Sequence, residues 1–249
     1  MTDASQYIVN QWLRDFTVEV LMPDDSTAGT GVAVSPDGKI VTCAHVVRAA
    51  LGVEPHDAGD QTVALYFPQA RRDADKQRKA RVAGCFREHD DDVVVLQIVD
   101  GLMPLAPEQI AVIGRCEGSD GHEFSTYGYR FADKVPEPLY GNGQVMAVLD
   151  VPRGRQRHSG RVQLKTSDVN AGMSGAAVLD NQRNLVVGII SSKYFTESPP
   201  DRDLAFAVNA RVLSLDGLNI PLWREETYPR KAGQTPKLTD EQEQQVKSA

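Results

Sequence analysis

Gly172-Met173-Ser174-Gly175 places a hydroxyl among glycines. Glycine lets backbone approach a ligand closely, so the amides of Gly172 and Ser174 can converge on one point. Aimed at a carbonyl oxygen, such amides stabilise negative charge as it develops in a transition state. A serine hydroxyl is a poor nucleophile until a base removes its proton, and that base needs a third group to fix its tautomer. Two other stretches offer those groups. Thr42-Cys43-Ala44-His45 ends an apolar hairpin pattern on a histidine, and Asp92 opens the apolar run Val93-Val94-Val95-Leu96. A carboxylate entering a buried strand is costly unless it has a partner, and an imidazole N–H is a suitable one. Asp90 and Asp91 compete for the role, but Asp92 alone abuts the strand. Taken singly, His45 reads rather as a hydrogen-bonded core residue, and Cys43 as a small core residue at a strand end. Together the three stretches describe acyl transfer, with Ser174 as nucleophile, His45 as base and Asp92 as orienting acid.

The elements that must hold these groups are short and β-rich. After an amphipathic helix expected over residues 4–16, with Ile8, Trp12, Leu13 and Phe16 apolar, strand patterns occupy 16–21, 31–34, 39–42, 62–67, 82–86 and 93–99. Residues 50–60 and the charged stretch 71–79 read as loops, the latter as a solvated connection or a partner-binding loop. Prolines 104 and 107 mark a crossover. Strand patterns return at 124–129, 144–151, 162–166, 176–179, 185–191 and 204–208, with Gly141-Asn142-Gly143 as a turn and 153–158 as a basic hairpin tip. Two halves of six strands suggest two small barrels.

Composition narrows the function classes. At 41% hydrophobic residues over 249 positions the chain can bury a full core. A formal charge of −7 argues against a general nucleic-acid or anionic-membrane binder, although the arginines of 71–81 and 153–157 leave a nucleic-acid sensor as a further reading. No apolar run has membrane-spanning length and no signal-peptide layout opens the chain, so a cytoplasmic protein is expected. Cys43, Cys85 and Cys116 are odd in number and far apart, unlike a disulfide framework. His89 with Asp90 and Asp91, and Asp120 with His122 and Glu123, lack a recognised ligand pattern, so neither a metal nor a cofactor is expected.

In their order and separations, Thr42-Cys43-Ala44-His45, Asp92 before its valines, and Gly172-Met173-Ser174-Gly175 resemble the three signatures of trypsin/chymotrypsin-like serine proteases. The likeness runs from about residue 16 to about residue 215 and takes in Gly188-Ile189-Ile190-Ser191 and Ala205-Phe206-Ala207-Val208. It implies an all-β fold of two perpendicular six-stranded antiparallel β-barrels, the first over about 16–100 and the second over about 120–215, with the active site between them. Without disulfides, and with its Phe-Ala-Val strand, the chain is more similar to HtrA/Deg and other bacterial members than to digestive enzymes. The resemblance implies a serine endopeptidase acting on polypeptides, with His45, Asp92 and Ser174 as its triad and the amides of Gly172 and Ser174 as its oxyanion hole.

The resemblance also implies a substrate pocket formed by Asp168, Ser191 and Lys193. Asp168, six residues before Ser174, would favour substrate Arg or Lys. Lys193 stands where the family usually has glycine, and would neutralise Asp168 or block the entrance, so basic specificity and an internal ion pair both stay open. Met173 replaces the aspartate of zymogen-forming members, which points away from activation by N-terminal cleavage and toward a loop rearrangement or another domain. Residues 1–223 are expected to form the protease domain. Residues 224–249, mostly charged or Gln, are expected to be a linker or the start of a further, regulatory domain. Similar domains are fused to nucleotide-binding sensors in bacterial antiviral defence, so a tethered effector is the expectation. The competing class is an adaptor built on a catalytically silent protease fold.

Overall fold

The computed structural model describes residues 3–86, 91–101, 105–130, 137–149, 160–193 and 203–222. Helix α1 (Asp3–Phe16) lays Val9, Trp12, Leu13 and Phe16 into the core, with Trp12 and Phe16 edge to face at 5.5 Å. The Thr17 hydroxyl donates to Leu13 O at 2.6 Å where the helix gives way to strand.

The first barrel consists of β1 (Thr17–Leu21), β2 (Thr27–Ala33), β3 (Lys39–Thr42), β4 (Val63–Tyr66), β5 (Gln77–Cys85) and β6 (Val94–Ile98). It closes in the order β1-β2-β3-β6-β5-β4. The second consists of β7 (Glu123–Arg130), β8 (Glu137–Leu149), β9 (Arg161–Lys165), β10 (Ala177–Asp180), β11 (Leu185–Lys193) and β12 (Leu204–Asn209), closed as β10-β11-β12-β9-β8-β7. Among the described residues all strand–strand pairings are antiparallel. Among the described residues closure gives every strand a neighbour on both sides. Both barrels fill with β-branched, aliphatic and aromatic side chains, among them Val18, Ile40, Leu65 and Leu96 in one and Phe124, Leu164, Leu179 and Ile189 in the other. The two six-stranded barrels are thus as the sequence led us to expect, most strands lying within a few residues of their predicted bounds.

Segment 105–114 laces the barrels together. Leu105 N donates to Pro36 O and Ala111 N to Ala33 O, after which Val186 N donates to Val112 O and Gly114 N to Val186 O. Among the described residues no helix is long and apolar enough to cross a membrane.

Three local expectations need correcting. Gly141-Asn142-Gly143 is not a turn but the middle of β8, paired with Thr126, Ser125 and Phe124. A Cβ on Gly143 would collide with Lys165 O and the Phe124 ring, so glycine serves close packing here. Stretch 71–79 is not wholly a loop, because β5 begins at Gln77 with Arg78 and Ala80 turned inward. Arg78 is only 8% exposed and lies 3.7 Å from Asp75 and 3.6 Å from Asp100, so its charge hid a period-2 pattern. Segment 50–60 carries the end of helix α2 (Ala44–Leu51) and a 3-10 turn (Pro55–Asp57).

Candidate active site

His45 sits in the first turn of α2, immediately after strand β3, rather than on a bare strand end. Cys43 occupies the position capping the helix, in extended conformation, and Val46 and Val47 anchor the helix in the core. Asp92 precedes β6, whose Val94 pairs with Thr42 across the sheet, so both residues emerge at the same end of one ladder. The pairing that closes the first barrel is therefore what brings positions 45 and 92 together.

Asp92 accepts the His45 backbone amide on Oδ1 at 3.0 Å and meets His45 Nδ1 with Oδ2 at 2.7 Å. The Ser191 hydroxyl from β11 adds a third bond to Oδ2 at 3.1 Å. Burial pushes the Asp92 carboxyl upward. The His45 hydrogen bond and charge, the His45 amide and the Ser191 hydroxyl outweigh it, so Asp92 stays below the ordinary carboxylate value. An ionised carboxylate only accepts, so the proton between the two belongs to Nδ1 and the Nε2 lone pair is left for another partner. The His45 side chain is 37% exposed, which sets aside the buried core-residue reading.

Ser174 lies in the turn between Gly172 and Gly175, which adopt φ of +94° and +92°. In that region L side chains are strained, and a Cβ on Gly175 would collide with Thr30 O. Carbonyl and amide bonds pin the turn. Met173 N donates to Asn170 O at 3.1 Å, Ala176 N to Met173 O at 3.0 Å, Gly175 N to Ile190 O at 2.7 Å, and Thr30 N to Ser174 O at 2.9 Å. With Met173 O held by Ala176, the Ser174 N–H of the same planar peptide must face the other way. Among the described residues the amides of Gly172 and Ser174 have no acceptor. The Ser174 hydroxyl donates to Ser191 O at 3.4 Å, its one hydrogen-bond partner among the described residues. Ser191 thus touches both halves of the site, through its hydroxyl on Asp92 and its carbonyl on Ser174.

Asp168 follows β9. Its carboxylate accepts Asn142 N on Oδ2 at 3.1 Å and the Ser167 hydroxyl on Oδ1 at 3.0 Å, so it is turned toward β8. Lys193 is the last residue of β11, paired with Ala205; its side chain lies outside the described residues. Met173 is fully buried, an apolar plug within the turn. Cys43 is also fully buried and donates to Ile190 O at 3.1 Å. Burial, then the nearby Asp92 charge, push its thiol well above the usual value, so it is held protonated as a core residue.

Cys43, His45 and Asp92 each offer a ligand atom within 4.8 Å of the others, the one such His/Cys/Asp/Glu group among the described residues. The donor set suits a metal poorly. Its thiol is held protonated, and its carboxylate is engaged by three donors. His122 makes a different pair from the one weighed in the sequence: its Nδ1 lies 2.8 Å from Asp180 Oδ2, while Asp180 Oδ1 caps the amides of Gln182 and Arg183. His89 and Asp90 lie outside the described residues.

Residues 29–189 match the trypsin-like peptidase domain family. The chain belongs to that family. Among solved structures its fold is similar to the HtrA-type protease AlgW with a decapeptide, at TM-score 0.58 and 17% identity over 84% of this chain and 64% of that one. It is similar also to the M. tuberculosis protease Rv3671c in an inactive form, at TM-score 0.58 and 19% identity over 83% and 91% of the two chains. A serine-to-alanine mutant of Rv3671c gives TM-score 0.58 and 20% identity over 90% and 95%. The chain therefore spans just under two thirds of the AlgW chain. No curated protein matches it. For a trypsin-like peptidase domain, the residue that sequence reasoning passed over is Thr30. A hydroxyl between two glycines was its only signal.

Proposed function

We propose that this trypsin-like peptidase domain is a serine endopeptidase working through an acyl-enzyme. The observation that carries the reading is the 2.7 Å contact between His45 Nδ1 and Asp92, with Ser174 one residue away through Ser191. In this reading the Ser174 hydroxyl exchanges Ser191 O, its partner at 3.4 Å, for His45 Nε2. Nε2 accepts its proton as Oγ attacks the peptide carbonyl carbon. The resulting oxyanion accepts from the amides of Gly172 and Ser174, and the peptide carrying the Ser174 amide is held in place before reaction by the Ala176 N bond to Met173 O. His45 then returns the proton to the leaving amine as the C–N bond breaks, and water, deprotonated by the same imidazole, cleaves the ester.

Selectivity for Arg or Lys before the scissile bond would rest on Asp168. Its carboxylate has two donors in place and keeps capacity for a substrate cation. Profiling cleavage of a peptide library tests both parts. Cleavage that disappears in Ser174→Ala supports the protease, and a preference for small or apolar residues at the cleaved position would reject the role of Asp168. The buried Met173 supports control by loop rearrangement or by a further domain rather than by a freed N-terminus, as in a tethered effector. The tail from 223 and the basic tip 153–158 lie outside the described residues. A nucleic-acid sensor finds little support in stretch 71–81, where Arg72, Lys76, Arg78 and Arg81 each face an aspartate and Arg71 faces Glu108.

A further inference from the structure

Thr30 is fully buried in β2, on the first barrel, yet each of its polar groups serves the neighbourhood of Ser174. Its amide donates to Ser174 O at 2.9 Å. Its hydroxyl donates to Gly172 O at 3.2 Å and accepts Tyr129 N from β7 at 3.1 Å. Its carbonyl accepts the Thr42 hydroxyl at 2.6 Å, three residues before His45. A hydroxyl has one proton and two lone pairs, so donating to Gly172 O while accepting from Tyr129 N leaves its proton in one direction only.

We infer that Thr30 is a positioning residue for the oxyanion turn, acting through its hydroxyl. Gly172, at φ +94° and without a Cβ, shares with Gly175 the greater rotational freedom of glycine in the turn. The Gly172–Met173 peptide is held at its nitrogen end by Asn170 O and at its oxygen end by Thr30 Oγ1. The next peptide is held by Ala176, and the Ser174 carbonyl by the Thr30 amide. Removing the hydroxyl frees the one end of the Gly172–Met173 unit that no other group secures. It also leaves Gly172 O and Tyr129 N without their partner in a buried place. The bond from Tyr129 N makes Thr30 the pin through which the first barrel, the turn and β7 share one register. Gly128, one residue earlier, is packed to match: a Cβ there would stand 3.0 Å from Thr30 Oγ1 and 3.4 Å from Met173 Cα.

The inference rests on the serine-protease reading for its effect on catalysis but not for the tether itself, and the test separates the two. Thr30→Val keeps the shape and removes the hydroxyl; Thr30→Ser keeps the hydroxyl and removes the methyl. Two quantities are measured on each full-length chain: the rate of covalent modification by a fluorophosphonate, and hydrogen–deuterium exchange of the peptide containing residues 169–176. Thr30→Val is expected to label about 10- to 100-fold more slowly than wild type, short of the roughly 10²- to 10³-fold lost when an oxyanion donor itself is removed. Its turn is expected to exchange faster while the amides of β3 and β6 keep their protection. Thr30→Ser is expected to restore both to within a few-fold. If Thr30→Ser is as impaired as Thr30→Val, the methyl rather than the hydroxyl matters and the inference fails. If the turn in a folded Thr30→Val exchanges like wild type, the tether does not exist. A wild-type protein that never labels would overturn the protease reading, while the exchange data would still decide the tether.

Discussion

Replacing Asp92 by Asn probes the site through a single atom. Two orientations are open to the carboxamide. With its oxygen in the Oδ1 place it still accepts the His45 amide, now at 3.0 Å, and its NH₂ group replaces Oδ2, facing Nδ1 at 2.7 Å and the Ser191 hydroxyl at 3.1 Å. Flipped, it would set NH₂ against the His45 N–H, two donors face to face, leaving partners unsatisfied at about 1–3 kcal/mol each. The first orientation wins, and it forces Nδ1 to accept. The imidazole proton then moves to Nε2, where it blocks removal of the Ser174 proton. Loss of a base by the wrong tautomer costs about 10⁴-fold in rate, equivalent to about 5.5 kcal/mol at 1.36 kcal/mol per tenfold. The assay is the rate of fluorophosphonate modification of Asp92→Asn against wild type, with melting curves to show that both are folded and nitrogen NMR of His45 to report the tautomer. Labelling within about tenfold of wild type by a folded Asp92→Asn protein, whose His45 still carries its proton on Nδ1, would refute the reasoning.

Acid stability should separate the half-buried Asp92 from the buried Glu19. Asp92 lies below its ordinary value, so its contribution is present above the unfolded carboxylate value of about 3.9 and is lost as pH falls through its lower folded value; the melting temperature of wild type should drop there more steeply than that of Asp92→Asn. Glu19 has the opposite sign. Burial, only partly offset by the Thr27 hydroxyl, raises its carboxyl, so its stability is present below about 4.3 and is lost as pH rises through the folded value. Glu19→Gln should accordingly melt no lower than wild type at pH 7, and a clear fall in melting temperature would contradict this. Among the cysteines, half-buried Cys85 should alkylate with iodoacetamide well before Cys43 or Cys116, whose thiols burial raises, well above normal in Cys43 and to about 12 in Cys116. Peptide mapping reads the order, and early modification of Cys43 would show that the core behind His45 is open.

How much of this was legible in the sequence follows from the range of the forces involved. Strand periodicity is local, and β3 was read at its observed bounds from Lys39–Thr42 alone. Asp92 was legible because a carboxylate at the mouth of an apolar run needs a partner. Where a residue's local signal pointed elsewhere, tertiary contacts overrode it: Gly141 and Gly143 looked like a turn but make room for Asp168, Phe124 and Thr166, and Arg78 looked solvated but is paired inside a strand. Thr30 illustrates the limit. Its partners lie 99 and 142 positions away, and no spacing rule reaches so far. The orientation of Asp168 toward Asn142 likewise depends on how β8 and β9 pair, which its position six residues before Ser174 does not encode.

The central claim is that hydroxyl, imidazole and carboxylate act as one unit on an acyl carbon. Intact-mass measurement after fluorophosphonate treatment, with the modified peptide sequenced, tests it most directly. A single adduct on Ser174 is expected, absent in Ser174→Ala and formed much more slowly in His45→Ala. An untouched wild-type chain, or an adduct on any other residue, would contradict it.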